Sequence, residues 1–327
     1  MAIALLALGS GCGNMEDRQV RANAISKGTE AGLVAVQAPP PELSGCAVVE
    51  GGVLVVEDEA IGAVLFCPDT AARPLPLRSV KLERKKKDRA PFADRDKLFP
   101  VQDFEDIASD GRREVFFIGS HNGKDGERRP DREFLIQAKW SPKDAELKVS
   151  GEAYNLLDRL APALEEKGVP LGLTRENVVD ALNFEGLAYH DGRLFIGLRG
   201  PLAPTGGALI CVVDAEAAFG GNGPLNADIL VLDLRGAGIR ALDWDPVENT
   251  LLVISGPSVD GGGGPVALWR CDAKGGGLVE VHAFDPAVAR KKPEGVCRLP
   301  ADQGGNLMVV LDGDGESHVS EVLFLPG

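Results

Sequence analysis

Residue types that could bind a ligand or exchange protons recur at one position in five related segments of the chain. This position holds Ser44, Glu105, Glu185, Arg240 and Glu294, and the residue after each one is short. Carboxylates in such a set can bind a hard cation or transfer protons, and an arginine can bind an anion or pair with a carboxylate. We therefore predict that this position marks a ligand site.

Four further polar residues follow neighbouring strands and are expected at the same end of the fold: His121, Arg132, Arg199 and Asp312. We predict catalytic roles for His121 and Glu185. Ligand-binding roles are predicted for Ser44, Glu105, Arg132, Arg199, Arg240 and Glu294. If a metal is bound, the predicted cofactor is Ca²⁺, and its predicted ligands are Glu105, Glu185, Glu294 and Asp312.

An internal repeat predicts the strands that position these residues. Five copies of an apolar strand, a tight turn and a second, strongly apolar strand begin at residues 43, 104, 184, 239 and 293. Dipeptides such as Asp110-Gly111 and Asp191-Gly192 are typical of hairpin turns. A third apolar run follows in every copy and a fourth in four of them. Four strands per repeat at regular spacing are typical of a β-propeller.

We therefore predict an all-β fold, a five-bladed propeller, in which the apolar run at residues 33–37 completes the last blade and closes the ring. Six blades are the alternative, if the charged segment 84–102 contains strands. One short helical insertion is predicted near residues 155–182, from the apolar spacing of residues 155–168 and 174–182. Residues 31–327 then form a single domain.

The N-terminal segment resembles an export signal. Residues 1–14 are apolar and small up to Cys12, as in a bacterial lipoprotein, and residues 15–30 read as a polar linker. We predict a periplasmic or outer-membrane-anchored protein with a cytoplasmic location as the alternative. A lipid on Cys12 is the only membrane attachment expected. The net charge of −14 argues against nucleic acid as a partner, and we expect a monomer that binds a small molecule.

Several unlike motifs occur in an order that resembles a bacterial β-propeller family of unknown function. They are FEDIASD with FFIGSHNGKDGERRPDREFL, then LNFEGLAYHDGRLFIGLRGPL, GIRALDWDP with SGP, and KPEGV with LDGDG. The resemblance covers roughly residues 42–327 and extends distantly to the esterase-like phytase propellers. It implies a propeller fold, and it implies no particular activity. Ser44 departs from the pattern, because three other copies carry glutamate there.

Three interpretations of the polar position stay open. The carboxylates and arginines form a structural ion-pair network, or they bind a small ligand or divalent cation at the central channel, or they hydrolyse an ester or phosphoester with water as the nucleophile. A protein-interaction scaffold is a further alternative. It is less favoured, because interaction surfaces are rich in aromatic residues and only 5% of this chain is aromatic.

Overall fold

The structure is a computed structural model that describes residues 32–37, 42–58, 64–83, 101–169, 171–174, 176–259, 263–312 and 321–327. The predicted export signal, the linker and Cys12 lie outside the described residues, as do residues 84–100 of the segment considered for a sixth blade. No helix in the described part of the chain is long and apolar enough to cross a membrane.

The described strands form antiparallel four-strand units, and the first two units follow the predicted order. The first unit contains β2 (Leu43–Val49), β3 (Gly52–Glu57), β4 (Val64–Cys67) and β6 (Arg78–Glu83), with the short β5 (Leu75–Pro76) between the last two. The second contains β7 (Phe104–Ser109), β8 (Glu114–Gly119), β9 (Leu135–Ser141) and β10 (Glu146–Ala153). The outer strands β6 and β10 pair in parallel, so these two units share one eight-stranded sheet.

Two more units follow with the same internal order, and a fifth takes a strand from the other end of the chain. The third contains β11 (Asn183–His190), β12 (Arg193–Gly200), β13 (Ala208–Asp214) and β14 (Asp228–Leu232). The fourth contains β15 (Gly238–Asp245), β16 (Thr250–Gly256), β17 (Ala267–Cys271) and β18 (Val279–Ala283). The fifth contains β19 (Pro293–Arg298), β20 (Leu307–Leu311), β21 (Glu321–Leu325) and β1 (Gly32–Gln37).

The first strands of the units contact one another in a closed cycle. β2 lies against β7, β7 against β11, β11 against β15, β15 against β19, and β19 against β2. β1 pairs antiparallel with β21, with Leu33 opposite Leu323, and in parallel with β5. The prediction of an all-β fold is confirmed, and the arrangement is propeller-like.

Sequence patterns explain why the units stack in this way. The second strands β3 and β20 are buried at every position, and they are apolar throughout except for Glu57 at the end of β3, as expected for strands covered on both faces. The residues after the polar position are small because backbones crowd at the axis. A side chain on Gly45 would lie 2.6 Å from Oδ1 of Asp106, and one on Gly295 would lie 2.8 Å from Cα of Gly45.

The helical insertion is shorter than predicted. Helix α1 (Leu156–Glu166) lies where the sequence placed it, but residues 174 and 176–182 are not helical. Oγ1 of Thr174 instead accepts the amide of Asn177 at 2.9 Å, and Asn177 forms a β-bridge with Glu127 of the long loop after β8. Side-chain bonds of this kind compete with helix formation. Two further short helices, α2 (Ala215–Phe219) and α3 (Pro286–Arg290), were not predicted.

Candidate functional site

A polar pocket of about 200 Å³ opens where the first strands begin, and all five units contribute to it. Every residue that lines it is charged or carries an amide: Glu42, Asp58, Asp103, Glu105, Asn122, Arg132, Asn183, Glu185, Arg199, Arg240, Lys292, Glu294 and Asp312. Seven carboxyl groups therefore face four basic groups. Seven of the nine predicted site residues are in this set, and Ser44 and His121 are not.

Arg240 joins two of the carboxylates at the centre of the pocket. Its Nε lies 3.0 Å from Oε2 of Glu185, and its Nη2 forms an ion pair with Glu294. Nη1 of Arg199 lies 2.8 Å from Oε1 of Glu185, and the amide of Asn183 donates to the same oxygen at 2.6 Å. Because a buried charge is costly unless it is paired, this network accounts for the burial of Arg240 and Glu185.

The pocket rim carries two more ion pairs. Nη1 of Arg132 lies 3.3 Å from Oδ2 of Asp103, and Lys292 pairs with Asp312. Burial raises the pKa of Asp103 above its usual value, and Glu185 and Asp131 add to the rise, against the opposing effects of Ser120 and Arg132. The predicted metal ligands Glu185, Glu294 and Asp312 are thus each paired with a basic side chain.

Glu105 differs from its neighbours, because the described part of the chain supplies no hydrogen bond or ion pair to its carboxyl group. Burial raises the pKa of Glu105 well above its usual value. The negative charges of Glu185, Asp103 and Asp58 raise it further, and Arg240 opposes them only in part. A carboxyl group of this kind holds its proton to higher pH and can act as an acid or as a hydrogen-bond donor.

His121 is not in the pocket, contrary to the predicted catalytic role. Its imidazole is fully buried, its ring centre lies 4.8 Å from that of Phe184, and its Nδ1–H donates to the carbonyl oxygen of Gly119 at 2.8 Å. Burial lowers the pKa of this imidazole. The backbone of His121 has a φ of 54°, and its side chain packs into the core instead of facing the ligand space. The residue is therefore not placed to exchange a proton with a ligand in the pocket.

Ser44 also lies outside the pocket lining. Its side chain is buried, and its hydroxyl donates to the carbonyl oxygen of Phe104 in the neighbouring unit. A serine at this position is shorter than the glutamate found in three other units, so it reaches the next backbone instead of the pocket. Ser44 therefore connects two units, and the predicted ligand contact is not formed by this residue.

Sequence reasoning missed a second set of pocket residues. Glu42, Asp103, Asn183 and Lys292 each stand two positions before the residue of the first set in their unit. Asn183 lies in β11, where residues two apart point to the same side, and the other three stand directly before the first residue of β2, β7 and β19. The spacing in the sequence would have revealed these four residues. Asn122 comes from the long loop after β8 and has no such signal.

No group of three or more His, Cys, Asp or Glu side chains among the described residues is arranged to hold a metal ion. The prediction of Ca²⁺ therefore rests only on the excess of carboxyl groups over basic groups in the pocket.

Comparisons with known proteins agree with the sequence analysis in coarse terms. Residues 174–322, slightly less than half of the chain, match the model of a family described as a protein of unknown function, DUF3616. No curated protein sequence matches the chain. The resemblance to esterase-like phytases stays a prediction.

Three solved structures are similar at low identity. An exo-β-1,3-galactanase from Phanerochaete chrysosporium is 9% identical to this chain with a TM-score of 0.45. The alignment covers 90% of this chain and 62% of the galactanase chain. The chain thus spans less than two thirds of that enzyme. The allergen Mala s 1 of Malassezia sympodialis is 10% identical with a TM-score of 0.46, covering 89% and 95%. Streptogramin B lyase is 9% identical with a TM-score of 0.41, covering 90% and 97%. TM-scores below 0.5 carry no argument about the function of this chain.

Proposed function

We propose that the protein is a five-bladed β-propeller that binds a small, hydroxyl-rich molecule in the polar pocket at one mouth of its central channel. The observation that supports this most directly is the pocket lining, in which every residue is polar and both hydrogen-bond acceptors and donors are present. Each hydroxyl group of a ligand donates one hydrogen bond and accepts others, so it needs both kinds of partner. A volume of about 200 Å³ limits the ligand to a small molecule.

The cycle of first strands, in which β2 contacts both β7 and β19, supports a count of five blades. An anionic ligand fits the pocket poorly, because seven carboxyl groups outnumber four basic ones and the basic ones are already paired. Glu105 is the group best placed to contact the ligand, since no described side chain competes for its oxygens.

Calorimetry on the full chain tests the proposal with glucose and sorbitol as hydroxyl-rich probes and inorganic phosphate as the anionic comparison. We expect saturable binding of a polyol and none of phosphate. Glu105→Gln should weaken the binding about tenfold, which corresponds to ~1.4 kcal/mol. Glu165→Gln, on the exposed surface of α1, removes the same charge outside the pocket and should leave it unchanged. Absence of binding to any polyol would overturn the proposal.

A divalent cation is the alternative ligand, favoured by the same charge excess. Binding would require Arg240 or Lys292 to release its carboxylate, because these side chains now occupy the predicted metal ligands. Titration with CaCl₂ after treatment with a chelator distinguishes the two ligands. Heat of binding for Ca²⁺, together with a rise in melting temperature that the chelator reverses, supports the cation, and a flat titration excludes it.

Hydrolysis of an ester or phosphoester is a second candidate function, favoured by one observation. Glu105, whose pKa is raised, lies in the same pocket as Glu185, which is held by two arginines. Two carboxyl groups in such different surroundings are the usual arrangement for an acid and a base. We expect Glu105→Gln and Glu185→Gln each to abolish turnover of p-nitrophenyl acetate or p-nitrophenyl phosphate. A wild-type protein inactive on both substrates would refute this candidate.

We also propose that the protein acts outside the cytoplasm as a monomer, attached to the membrane by a lipid on Cys12. The apolar residues before Cys12 support this proposal. Mass spectrometry of the protein from membranes should find a lipid on the N-terminal peptide, and Cys12→Ser should move the protein to the soluble fraction. A protein that stays soluble with an unmodified Cys12 would contradict it.

A further inference from the structure

A second cavity, of about 480 Å³, lies at the opposite mouth of the channel, where the first strands end. Its lining includes Val48 of β2, the turn after β7, His190 of β11, Trp244 of β15 and Arg298 of β19, so all five units contribute to it. Glu185 and His190 stand five residues apart on one strand, which separates the two mouths by roughly 17 Å. The cavity is within the usual size range of small-molecule sites.

One wall of this cavity is aromatic and apolar. The imidazole of His190 stacks on the indole of Trp244 with ring centres 3.7 Å apart and an interplanar angle of 11°. Phe195 supports Trp244 from within the core at 6.2 Å. Pro246 and Val247 continue the wall to the rim, where Val247 is 69% exposed. An apolar surface that lines a cavity and packs against the core is suited to bind the apolar part of a ligand.

The charged groups of the cavity are mostly acidic. Asp110, Asp191 and Asp243 line it, and Arg298 is its one lysine or arginine among the described residues. The guanidinium of Arg298 is already engaged, because its Nε donates to Oδ2 of Asp245 at 3.0 Å and its Nη1 donates to the carbonyl oxygen of Gly305 at 2.8 Å. The cavity therefore combines an apolar wall with three acidic groups and one arginine that is already engaged by Asp245.

We propose that this cavity binds a small organic cation, an ammonium or quaternary ammonium group attached to an aromatic or aliphatic ring. The ring lies against the wall formed by His190, Trp244 and Val247, and the charge faces Asp243 and Asp191. Cations of this type interact well with aromatic side chains as well as with carboxylates. The site is separate from the polar pocket at the other mouth and shares no lining residue with it.

Asp243 gives the site a pH dependence. Burial raises its pKa to about 8, Asp245 adds to the rise, and Arg298 opposes it by its charge and by an amide that donates to Oδ2 at 3.3 Å. The charge of Asp243 in turn contributes to the raised pKa of Asp106 on β7, which is buried. A bound cation favours the ionised form of Asp243, so binding releases a proton near neutral pH. The affinity for a permanently charged cation therefore rises as the pH increases from about 7 to 9.

Benzyltrimethylammonium is a suitable probe because its charge does not titrate. Calorimetry on the full chain compares it with neutral benzyl alcohol and with anionic benzenesulfonate at pH 7 and pH 9. We expect the cation to bind at least tenfold more tightly than the alcohol, the sulfonate not to bind, and the affinity for the cation to increase at pH 9. Equal binding of the three probes, or no binding of the cation, would overturn the proposal.

Two variants assign the site. Asp243→Asn should weaken binding of the cation about tenfold and remove its pH dependence. Asp191→Asn tests the rim without endangering the fold, because Asp191 is exposed and its φ of 47° is one that asparagine adopts readily. It should weaken binding by a smaller factor. Glu165→Gln, a charge change far from the cavity, is the control. If both aspartate variants bind as Glu165→Gln does, the cation does not occupy this cavity.

Discussion

Oδ2 of Asp106 accepts the backbone amide of Leu187 at 2.8 Å, and the same oxygen accepts the amide of Leu242 at 3.2 Å. Oδ1 accepts the amide of Ile107 at 2.8 Å. One buried carboxylate on β7 thus binds the first strands of the two following blades. The residue after the polar position is Gly or Ala in the other four blades. In this blade it is Asp106, whose side chain connects blades across the axis.

Asp106→Ala is expected to lower the free energy of unfolding by about 3 kcal/mol or more, because it leaves the amides of Leu187 and Leu242 buried without an acceptor. Urea unfolding followed by far-UV circular dichroism measures this loss. Asp144→Asn, in the exposed turn between β9 and β10, serves as the control and should change stability by less than ~0.5 kcal/mol. Equal stability of the two variants would show that the connection across the axis is unimportant.

Glu105→Gln should stabilise the protein at neutral pH by about 1 kcal/mol, because it removes an acid whose ionisation burial and the neighbouring carboxylates oppose. Burial and neighbouring carboxylates raise the pKa of Glu105 in the folded state, so the folded state retains a proton that the unfolded state has lost. Stability of the wild type therefore falls as the pH rises above the unfolded value of about 4.3. The advantage of the variant should vanish near pH 4 in urea titrations. An advantage independent of pH would contradict this account.

Arg240→Met is expected to cost about 3 to 5 kcal/mol, because it leaves Glu294 without its partner and Glu185 with Arg199 alone. Arg240→Lys keeps the charge and should cost less. Arg193→Met breaks an exposed pair with Asp228 and should cost less than ~1 kcal/mol. Thermal and urea unfolding of the three variants gives the comparison. A loss for Arg240→Met no larger than that for Arg193→Met would mean that the central network is not buried in solution.

Deletion of residues 1–38 removes β1 and uncovers the edge of β21. We expect a loss of roughly 3 kcal/mol or more from the hydrogen bonds and apolar surface of β1, together with a tendency to associate through the free edge. The variant that lacks only residues 1–30 retains β1, and its urea midpoint should equal that of the wild type. Urea unfolding and light scattering measure the two effects. If the two deletion variants have the same urea midpoint and the same light scattering, β1 does not close the last blade.

The strands were predictable because their signals are local. β11 and β12 flank the dipeptide Asp191-Gly192, both of whose residues have positive φ, and the apolar runs on either side fix the register. Four residues of the polar pocket, Glu105, Glu185, Arg240 and Glu294, followed from the same repeat, since one strand position per unit was expected to face the axis. The all-β prediction needed nothing beyond these local patterns.

Features that depend on distant partners were not predictable in the same way. Residues 174–182 have helical spacing, yet backbone hydrogen bonds with the loop at Gly126 and Glu127 keep residues 176–178 out of a helix. His121 was placed at the pocket by its position after β8, but its side chain packs on Phe184. The second cavity is formed by turns of unlike sequence, such as those at Asp110 and Pro246, so no repeat marks it.

The parallel pairing of β6 with β10, in which Leu147 lies opposite Leu82 and Lys81 pairs with Glu146, makes the stiffness of the ring uneven. The fifth and first blades are joined by the short, two-residue parallel pair of β1 with β5, and the other neighbouring blades of the described structure share no common sheet, so these can tilt more independently. The first two blades are bound by backbone hydrogen bonds at their outer edges and must tilt as one body. Both the polar pocket and the second cavity contain residues from these two blades. When either site changes its width, the part of its wall formed by the first two blades should therefore move less than the rest.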